Sequence, residues 1–320
     1  MTADWRPVAG LDALVLRAAL MRTVREFFHQ RRVMEVDTPL LSACSATDPQ
    51  LCSLEVRLAG TDLYLQTSPE FAMKRLLASG SGPIYQLGKV FRADESGRHH
   101  NSEFTLLEWY RPGQGETQLM AETDALLDVC IPDIRAQCGD SCAVSYRSLF
   151  DQHLGLDPHK ASEQALAERA RQHLDVGDMS ADRDQWLQLL FTHLIEPQLK
   201  GITWVTGFPA SQAALAQLQR DEHETLVARR FELYVNGLEL ANGYYELTDA
   251  DEQRSRFEAD NRERAARGLP LMPIDQRLLA ALAHGMPEGA GVALGFDRLV
   301  MLAANADSIA EVLAFTSGNA

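Results

Sequence analysis

Long apolar runs are missing from this chain: no stretch approaches the ~20 residues that a membrane span needs. Met1 to Gly10 carries no apolar signal core either, so the expectation is a cytoplasmic protein with no membrane partner. Cysteine is scarce, with five residues (Cys44, Cys52, Cys130, Cys138 and Cys142) in different segments. An odd, scattered set does not read as a disulfide framework. Cys138 and Cys142 have no second Cys or His pair near them at zinc-ligand spacing, which argues against a zinc site. Neither Gly-x-Gly-x-x-Gly nor Gly-x-x-x-x-Gly-Lys-Ser/Thr occurs, so any ATP is held without a P-loop. Positive charge is in short supply: 30 Lys and Arg against 45 Asp and Glu give a formal charge of −15. That balance disfavours a nucleic acid partner, which a basic face would grip. Repeats, low-complexity tracts and Gly/Ser linkers are also lacking, and nothing divides the 320 residues into independent domains.

What is present alternates between strand-like and helix-like segments. Leu14, Leu16, Ala18, Met21, Val24, Phe27 and Phe28 recur at helical spacing and predict a helix over Leu11 to Arg32. A short strand, Val33 to Val36, follows and stops before Pro39. Further strands are expected at Leu54–Leu58, Leu63–Gln66, Ile84–Gly88 and Phe104–Tyr110. Ser68 as N-cap and Pro69 in the first turn predict a helix running to about Ala78. Residues 116–226 read as a mostly helical insert. Beyond it, Phe231–Val235 and Leu238–Ala241 flank Asn236-Gly237, a strong hairpin signal. A charged helix (Asp249–Arg267) and a Gly-rich strand-to-helix passage (Gly289 to Ala304) complete the chain. The expected fold class is α+β, a mainly antiparallel sheet flanked by helices with a helical insert.

Three clusters carry the chemistry. The loop Phe91-Arg92-Ala93-Asp94-Glu95 through Asn101-Ser102-Glu103-Phe104 lies between two strands. Arg92 at the strand end can fork onto an α-phosphate and a carboxylate as charge builds there. The loop's acid and Asn101 are placed to orient a nucleotide and its ribose. The second cluster is Glu232, Glu239 and Glu246, spaced by seven. Glu232 and Glu239 are expected to face each other across the hairpin, which calls for a cation such as Mg²⁺ bridging to phosphates. Glu246, past Gly243, is expected to point into a neighbouring part of the cavity. The third is Gly291 to Met301, where small strand residues allow close approach to a flat ligand and Arg298 can reach a terminal phosphate. Taken singly, each cluster also fits a solvated charged surface.

Together the three resemble the active site of a class II aminoacyl-tRNA synthetase. The Pro39 segment resembles motif 1, the Arg92 loop motif 2, and the Gly295/Arg298 segment motif 3. Thr67-Ser68-Pro69-Glu70, Glu103-Phe104-Thr105 through Glu108-Trp109-Tyr110, and Glu239-Leu240-Ala241-Asn242-Gly243 are similar to the lysine branch. The resemblance implies Arg92 and Arg298 as catalytic residues and Glu232 and Glu239 as the Mg²⁺ ligands. It implies ATP contacts at Arg92, Ala93, Asp94, Glu95, Asn101, Phe104, Glu239, Leu240, Gly295 and Arg298. Lysine would be met by Glu70 at the α-amine and by Glu246 and Tyr110 at the ε-ammonium, with Glu108 near, Ser68 and Pro69 among its contacts and Ala293 in the wall. Carboxylates at both ends suit a dibasic substrate, whose two ammonium groups must be desolvated.

Motif 1 begins close to the start of the chain, leaving no obvious room for an N-terminal anticodon-binding barrel. The whole length is similar to the free-standing elongation factor P–lysine ligases, on segments that include Leu107 to Pro112, Phe208 to Gln212 and Arg264 to Pro270. That resemblance implies ATP-dependent activation of lysine, preferably the (R)-β isomer, transfer to a lysine of elongation factor P, a homodimer, and no tRNA. Two departures stand out. Ala93-Asp94 replaces the family's Asn-Glu, leaving Asp94 and Glu95 both open as the adenine contact. Ala293 stands where lysyl-tRNA synthetases generally have glycine, and its methyl is read as a selector against α-lysine. His99 and His100 are expected to be solvated or phosphate-contacting, because the substrate carboxylate is already the nucleophile. The alternatives are a tRNA-charging enzyme without its anticodon domain and a non-catalytic regulator that senses amino acids.

Overall fold

A computed structural model describes residues 5–320. Helix α1 (Leu11–Gln30) buries Leu20, Val24, Phe27 and Phe28 on one face, as the apolar spacing requires. It leads to the short strands β1 (Met34–Glu35) and β2 (Leu41–Ser42). Strands β3 (Glu55–Leu58) and β4 (Thr61–Leu65) pair with β2 as a small antiparallel sheet of order β2-β4-β3. Helix α2 (Glu70–Ala78) precedes the long hairpin of β5 (Ile84–Phe91) and β6 (Glu103–Pro112). The α2 cap lies one residue later than the sequence predicts, at Pro69. Ser68 still serves the helix start, its Oγ accepting from the Glu70 N–H at 3.0 Å.

The segment expected to be mostly helical contains α3 (Glu116–Cys130), α4 (Ile134–Cys138), strand β7 (Cys142–Ser145), α5 (Tyr146–Leu154), α6 (Glu163–His173) and α7 (Arg183–Leu190). It then returns strands β8 (Ile202–Pro209) and β9 (Leu218–Arg220) to the main sheet. The β-branched and aromatic run Ile202-Thr203-Trp204-Val205 accounts for the difference, since such residues favour a pleated, buried surface. Strands β10 (Leu226–Val235) and β11 (Leu238–Tyr245) form the expected hairpin, with Asn236 at φ 51° and Gly237 at φ 80°. Helices α8 (Ala250–Ala266) and α9 (Gln276–Gly285), strand β12 (Gly289–Gly295) and helix α10 (Phe296–Ala304) follow.

The main sheet runs β1-β5-β6-β12-β11-β10-β8-β7, with β9 paired to β10. Its centre is antiparallel; only the β1–β5 and β7–β8 pairs are parallel. Strand alternation divides its two faces. Leu107, Trp109, Phe231, Leu233, Val292 and Leu294 turn into a core shared with α1, α3 and α10. Burying each large apolar side chain contributes about 1.5–3 kcal/mol. Their sequence neighbours Glu108, Tyr110, Glu232, Gly291 and Ala293 therefore face the other way, where the cavity lies.

Two further apolar clusters frame that face. One unites α2 and α9 through Met73, Leu77, Leu278 and Leu282. The other is the insert's own core, with Tyr146, Phe150, Trp186, Phe191 and Phe208. Asp297 explains the Asp-Arg pair of the third motif: buried, it accepts from the Thr105 N–H at 2.8 Å and pairs with Arg17 at 2.5 Å. It thereby locks α10 and α1 onto β6.

Candidate active site

A cavity of about 1180 Å³ opens on the polar face of the sheet. Its outer wall is the loop around residues 43–51, which α8 holds in place. The buried Arg264 guanidinium donates to the carbonyls of Asp48 (3.0 Å) and Pro270 (2.7 Å), while Thr47 donates to Asp260 at 2.5 Å.

All seven residues expected to meet the amino acid line this cavity: Ser68, Pro69, Glu70, Glu108, Tyr110, Glu246 and Ala293. Glu108 is fully buried, accepting from Tyr110 OH at 2.6 Å and from Ser68 Oγ at 2.7 Å. Desolvation, reinforced by the Glu70 charge, pushes its carboxyl up to about 8, against the pull of those two hydroxyls. Burial likewise raises Glu246 to about 7, opposed mainly by the neighbouring Lys74 ammonium. Gly291, between Tyr110 and Tyr244 in the sheet, leaves room for these groups. A Cβ there would lie 2.6 Å from Glu246 Oε1 and inside the Tyr110 ring's contact distance.

The phosphate-side residues divide. Arg92, Glu95 and Glu239 line the cavity; Ala93, Asp94, Asn101, Phe104, Leu240, Gly295 and Arg298 do not. Arg92 pairs with Glu95 at 2.8 Å and stands 5.1 Å from the Phe104 ring centre, while its Nε is a buried donor without a hydrogen-bond acceptor among the described residues. Of the two candidate acids, Asp94 lies off the cavity lining, and its carboxylate pushes the neighbouring Cys52 thiol up. Asn101 is turned to the C-terminus: its Oδ1 accepts from the Ser317 N–H at 3.0 Å and from Ser317 Oγ at 3.1 Å. Leu240 is buried in the core. Arg298 donates to the Glu239 carbonyl at 2.6 Å and meets His100 Nε2 at 2.6 Å. Desolvation and the Arg298 charge hold the His100 pKa down, which keeps the ring neutral and able to accept.

Glu232 and Glu239 share the cavity face but are not opposite one another. A bulge between Leu233 and Tyr234 pairs Glu232 with Asn242 and Glu239 with Tyr234. Equal spacing in the sequence gives no sign of that shift. Glu232 is buried in a network the sequence did not disclose. Its Oε1 accepts from Arg230 Nε and Asn242 Nδ2, both at 3.0 Å, and its Oε2 from Tyr234 OH at 2.6 Å. Glu196 enters the same wall after a π-helical turn at Phe191–Ile195, and burial beside Glu239 and Glu232 raises it to about 7.

No group of three potential ligands is gathered for a metal among the described residues. The half-exposed Glu239 carboxylate and Asn242 Oδ1, which has no partner among the described residues, nevertheless suit a hard cation that brings most of its oxygens with it. Gln253 is also buried on the lining with both amide atoms unpartnered among the described residues, a second feature that spacing could not reveal.

A family model described as "tRNA synthetases class II (D, K and N)" matches residues 3–319. Proteins named elongation factor P–(R)-β-lysine ligase from Salmonella dublin, Salmonella paratyphi B and Salmonella enteritidis PT4 are each 51% identical to this chain. Each alignment covers 98% of this chain and 98% of the relative. The chain therefore belongs to the class II tRNA synthetase family of the D, K and N type.

Proposed function

We propose that this protein activates (R)-β-lysine with ATP and transfers it to a lysine side chain of elongation factor P. The single observation carrying the activation half is the acid-lined cavity end, where Glu70, Glu108 and Glu246 converge across three different elements. Glu70 and Glu246 share one ammonium there, that of Lys74, and a substrate with two ammonium groups supplies further positive charge to this acid-rich end. The relatives' printed name supports the isomer and the acceptor.

In the first step a carboxylate oxygen of the amino acid attacks the α-phosphorus of ATP. The bond from that phosphorus to the bridging oxygen breaks, and pyrophosphate leaves with the electron pair. Arg92 and Arg298 receive the charge that accumulates on the phosphoryl oxygens. Glu239, with Glu232 and Asn242 beside it, would hold Mg²⁺, which would supply positive charge to neutralise the polyphosphate. The acceptor amine then attacks the carbonyl carbon of the mixed anhydride, the carbon–oxygen bond to AMP breaks, and the amine's proton passes to solvent.

We also infer a homodimer formed through the motif 1 region. The exposed apolar side chains Trp5, Val8, Leu11 and Val15, with Leu40 and Leu41, support that reading. No helix among the described residues is long and apolar enough to cross a membrane. The acidic balance of −15 favours a protein acceptor over tRNA.

Pyrophosphate exchange into ATP tests the activation half. Exchange that depends on lysine or β-lysine, and is absent with neutral amino acids, is the expected result; none with any dibasic amino acid would sink the reading. Replacing Ala293 by glycine should enlarge the wall beside the amino acid's carbon chain. One methyl in an apolar wall is worth about 10–200-fold in discrimination, so the β-over-α preference should fall at least tenfold. An unchanged ratio of kcat/KM values would remove Ala293 from the selector role.

A further inference from the structure

Behind the amino-acid end of the cavity lies a cation with no part in the chemistry above. Lys74 is one turn along α2 from Glu70, only 1% exposed, and absent from the cavity lining. Its Nζ is 2.7 Å from Glu70 Oε1 and 2.6 Å from Glu246 Oε2. One ammonium thus joins carboxylates from two distant parts of the chain. Glu108, Tyr110 and Tyr244 stand behind those carboxylates, and α9 packs against α2 through the apolar Leu278, Leu279 and Leu282. Each carboxylate keeps a share of its roughly four acceptor positions for a ligand.

We propose that Lys74 is an internal counter-ion that fixes Glu70 and Glu246 in place and favours the charged form of Glu246, so that a diammonium amino acid docks with less need to displace a proton. Lys74 is a positioning residue, acting through the two acids and not on the substrate. The inference rests on the reading of this cavity end as the ammonium-binding site.

Its physical basis is the behaviour of paired acids. Two buried carboxylates close enough to hold one ammonium cannot both stay charged when it is removed, and one takes up a proton. That proton would occupy the position a substrate ammonium needs. Glu246 already sits at about 7 with Lys74 beside it, so loss of the cation must raise it further. A carboxyl raised in this way is charged only at higher pH. Substrate affinity in such a variant therefore recovers only as pH rises through the raised value.

The test is Lys74→Met, which keeps the chain length and removes the charge. The KM for β-lysine in ATP–pyrophosphate exchange is followed from about pH 6 to about pH 9, with the KM for ATP alongside. In the unaltered protein the amino-acid KM should fall as pH rises through about 7, where Glu246 gives up its proton, and level off once Glu108 has followed at about 8. The variant should show a KM at least tenfold higher at neutral pH and a plateau shifted about one unit or more to alkaline pH. A rise of equal size at every pH, or an equal rise in the KM for ATP, would reduce Lys74 to a packing residue and overturn the proposal. Absence of exchange in the unaltered protein would instead refute the function reading.

Thermal unfolding reads the same pair without substrate. The Lys74→Met deficit in Tm should widen as pH rises from about 5 to about 8, because the raised acids of the folded variant bind protons the unfolded chain does not. The double variant Lys74→Met/Glu246→Gln should recover much of the loss. A double variant as unstable as the single one would overturn the proposal even where Lys74→Met folds too poorly for kinetics.

Discussion

Gly291→Ala should cost more than a hundredfold in kcat/KM for the amino acid while leaving the KM for ATP nearly unchanged. Strand β12 passes between β11 and β6, with Gly291 registered against Tyr244 on one side and Tyr110 on the other. Its missing side chain is the space that Tyr110 and Glu246 occupy. A methyl group would fall 2.6 Å from Glu246 Oε1 and closer still to the edge of the Tyr110 ring. Neither neighbour can yield freely: Tyr110 donates to Glu108, and Glu246 is held by Lys74. Overpacking of this kind costs about 1–3 kcal/mol in stability, which a domain of this size can absorb. The larger effect falls on binding, because the displaced groups are those proposed to hold the ε-ammonium. Steady-state kinetics on both substrates, with circular dichroism as a check on folding, would decide it. A folded Gly291→Ala protein with wild-type amino-acid KM would show that Tyr110 and Glu246 lie away from the substrate.

Arg92→Ala should lower kcat for adenylate formation by about 100- to 1000-fold, the usual cost of removing one donor aimed at developing charge. Arg92 stands at the mouth of the β5–β6 hairpin, tied to Glu95, with its Nε donor buried and without an acceptor among the described residues. Buried donors of that kind are rare in native proteins, and a ligand oxygen is a natural partner. Lysine at this position should restore little, since an ammonium cannot reproduce the planar two-point fork. The KM for the amino acid should move by less than about threefold, because the ammonium-binding end is built from other elements. Single-turnover measurement of pyrophosphate release separates the chemical step from product release. A chemical rate within a factor of about three of wild type would mean that the α-phosphate charge is met elsewhere.

Much of this arrangement was legible in the sequence, for physical reasons that can be traced. The hairpin at Asn236-Gly237 was readable because only residues tolerant of positive φ fit that turn. The strand around Phe104 to Tyr110 was readable from its apolar run, and alternation along it turns Glu108 away from the buried Trp109. The facing of Glu232 and Glu239 was not readable, because a bulge inserts a residue without a compositional mark. Asn101 looked like a nucleotide ligand from its neighbours, whereas a contact more than two hundred positions away engages its side-chain oxygen. Glu196 and Gln253 sit in segments with ordinary helical composition, and only the folded chain brings them to the cavity. Lys74 could have been noticed as the i+4 partner of Glu70 on one helix face. Its second partner, Glu246, is a long-range contact that no spacing announces.

The most direct test of the account is the intact mass of elongation factor P after incubation with this protein, Mg-ATP and (R)-β-lysine. A gain of one lysyl unit that requires ATP, and is lost with the Arg92→Ala protein, is the predicted result. An unchanged mass under conditions where the same preparation supports β-lysine-dependent pyrophosphate exchange would contradict it, and would direct the activated amino acid to a different amine or to tRNA.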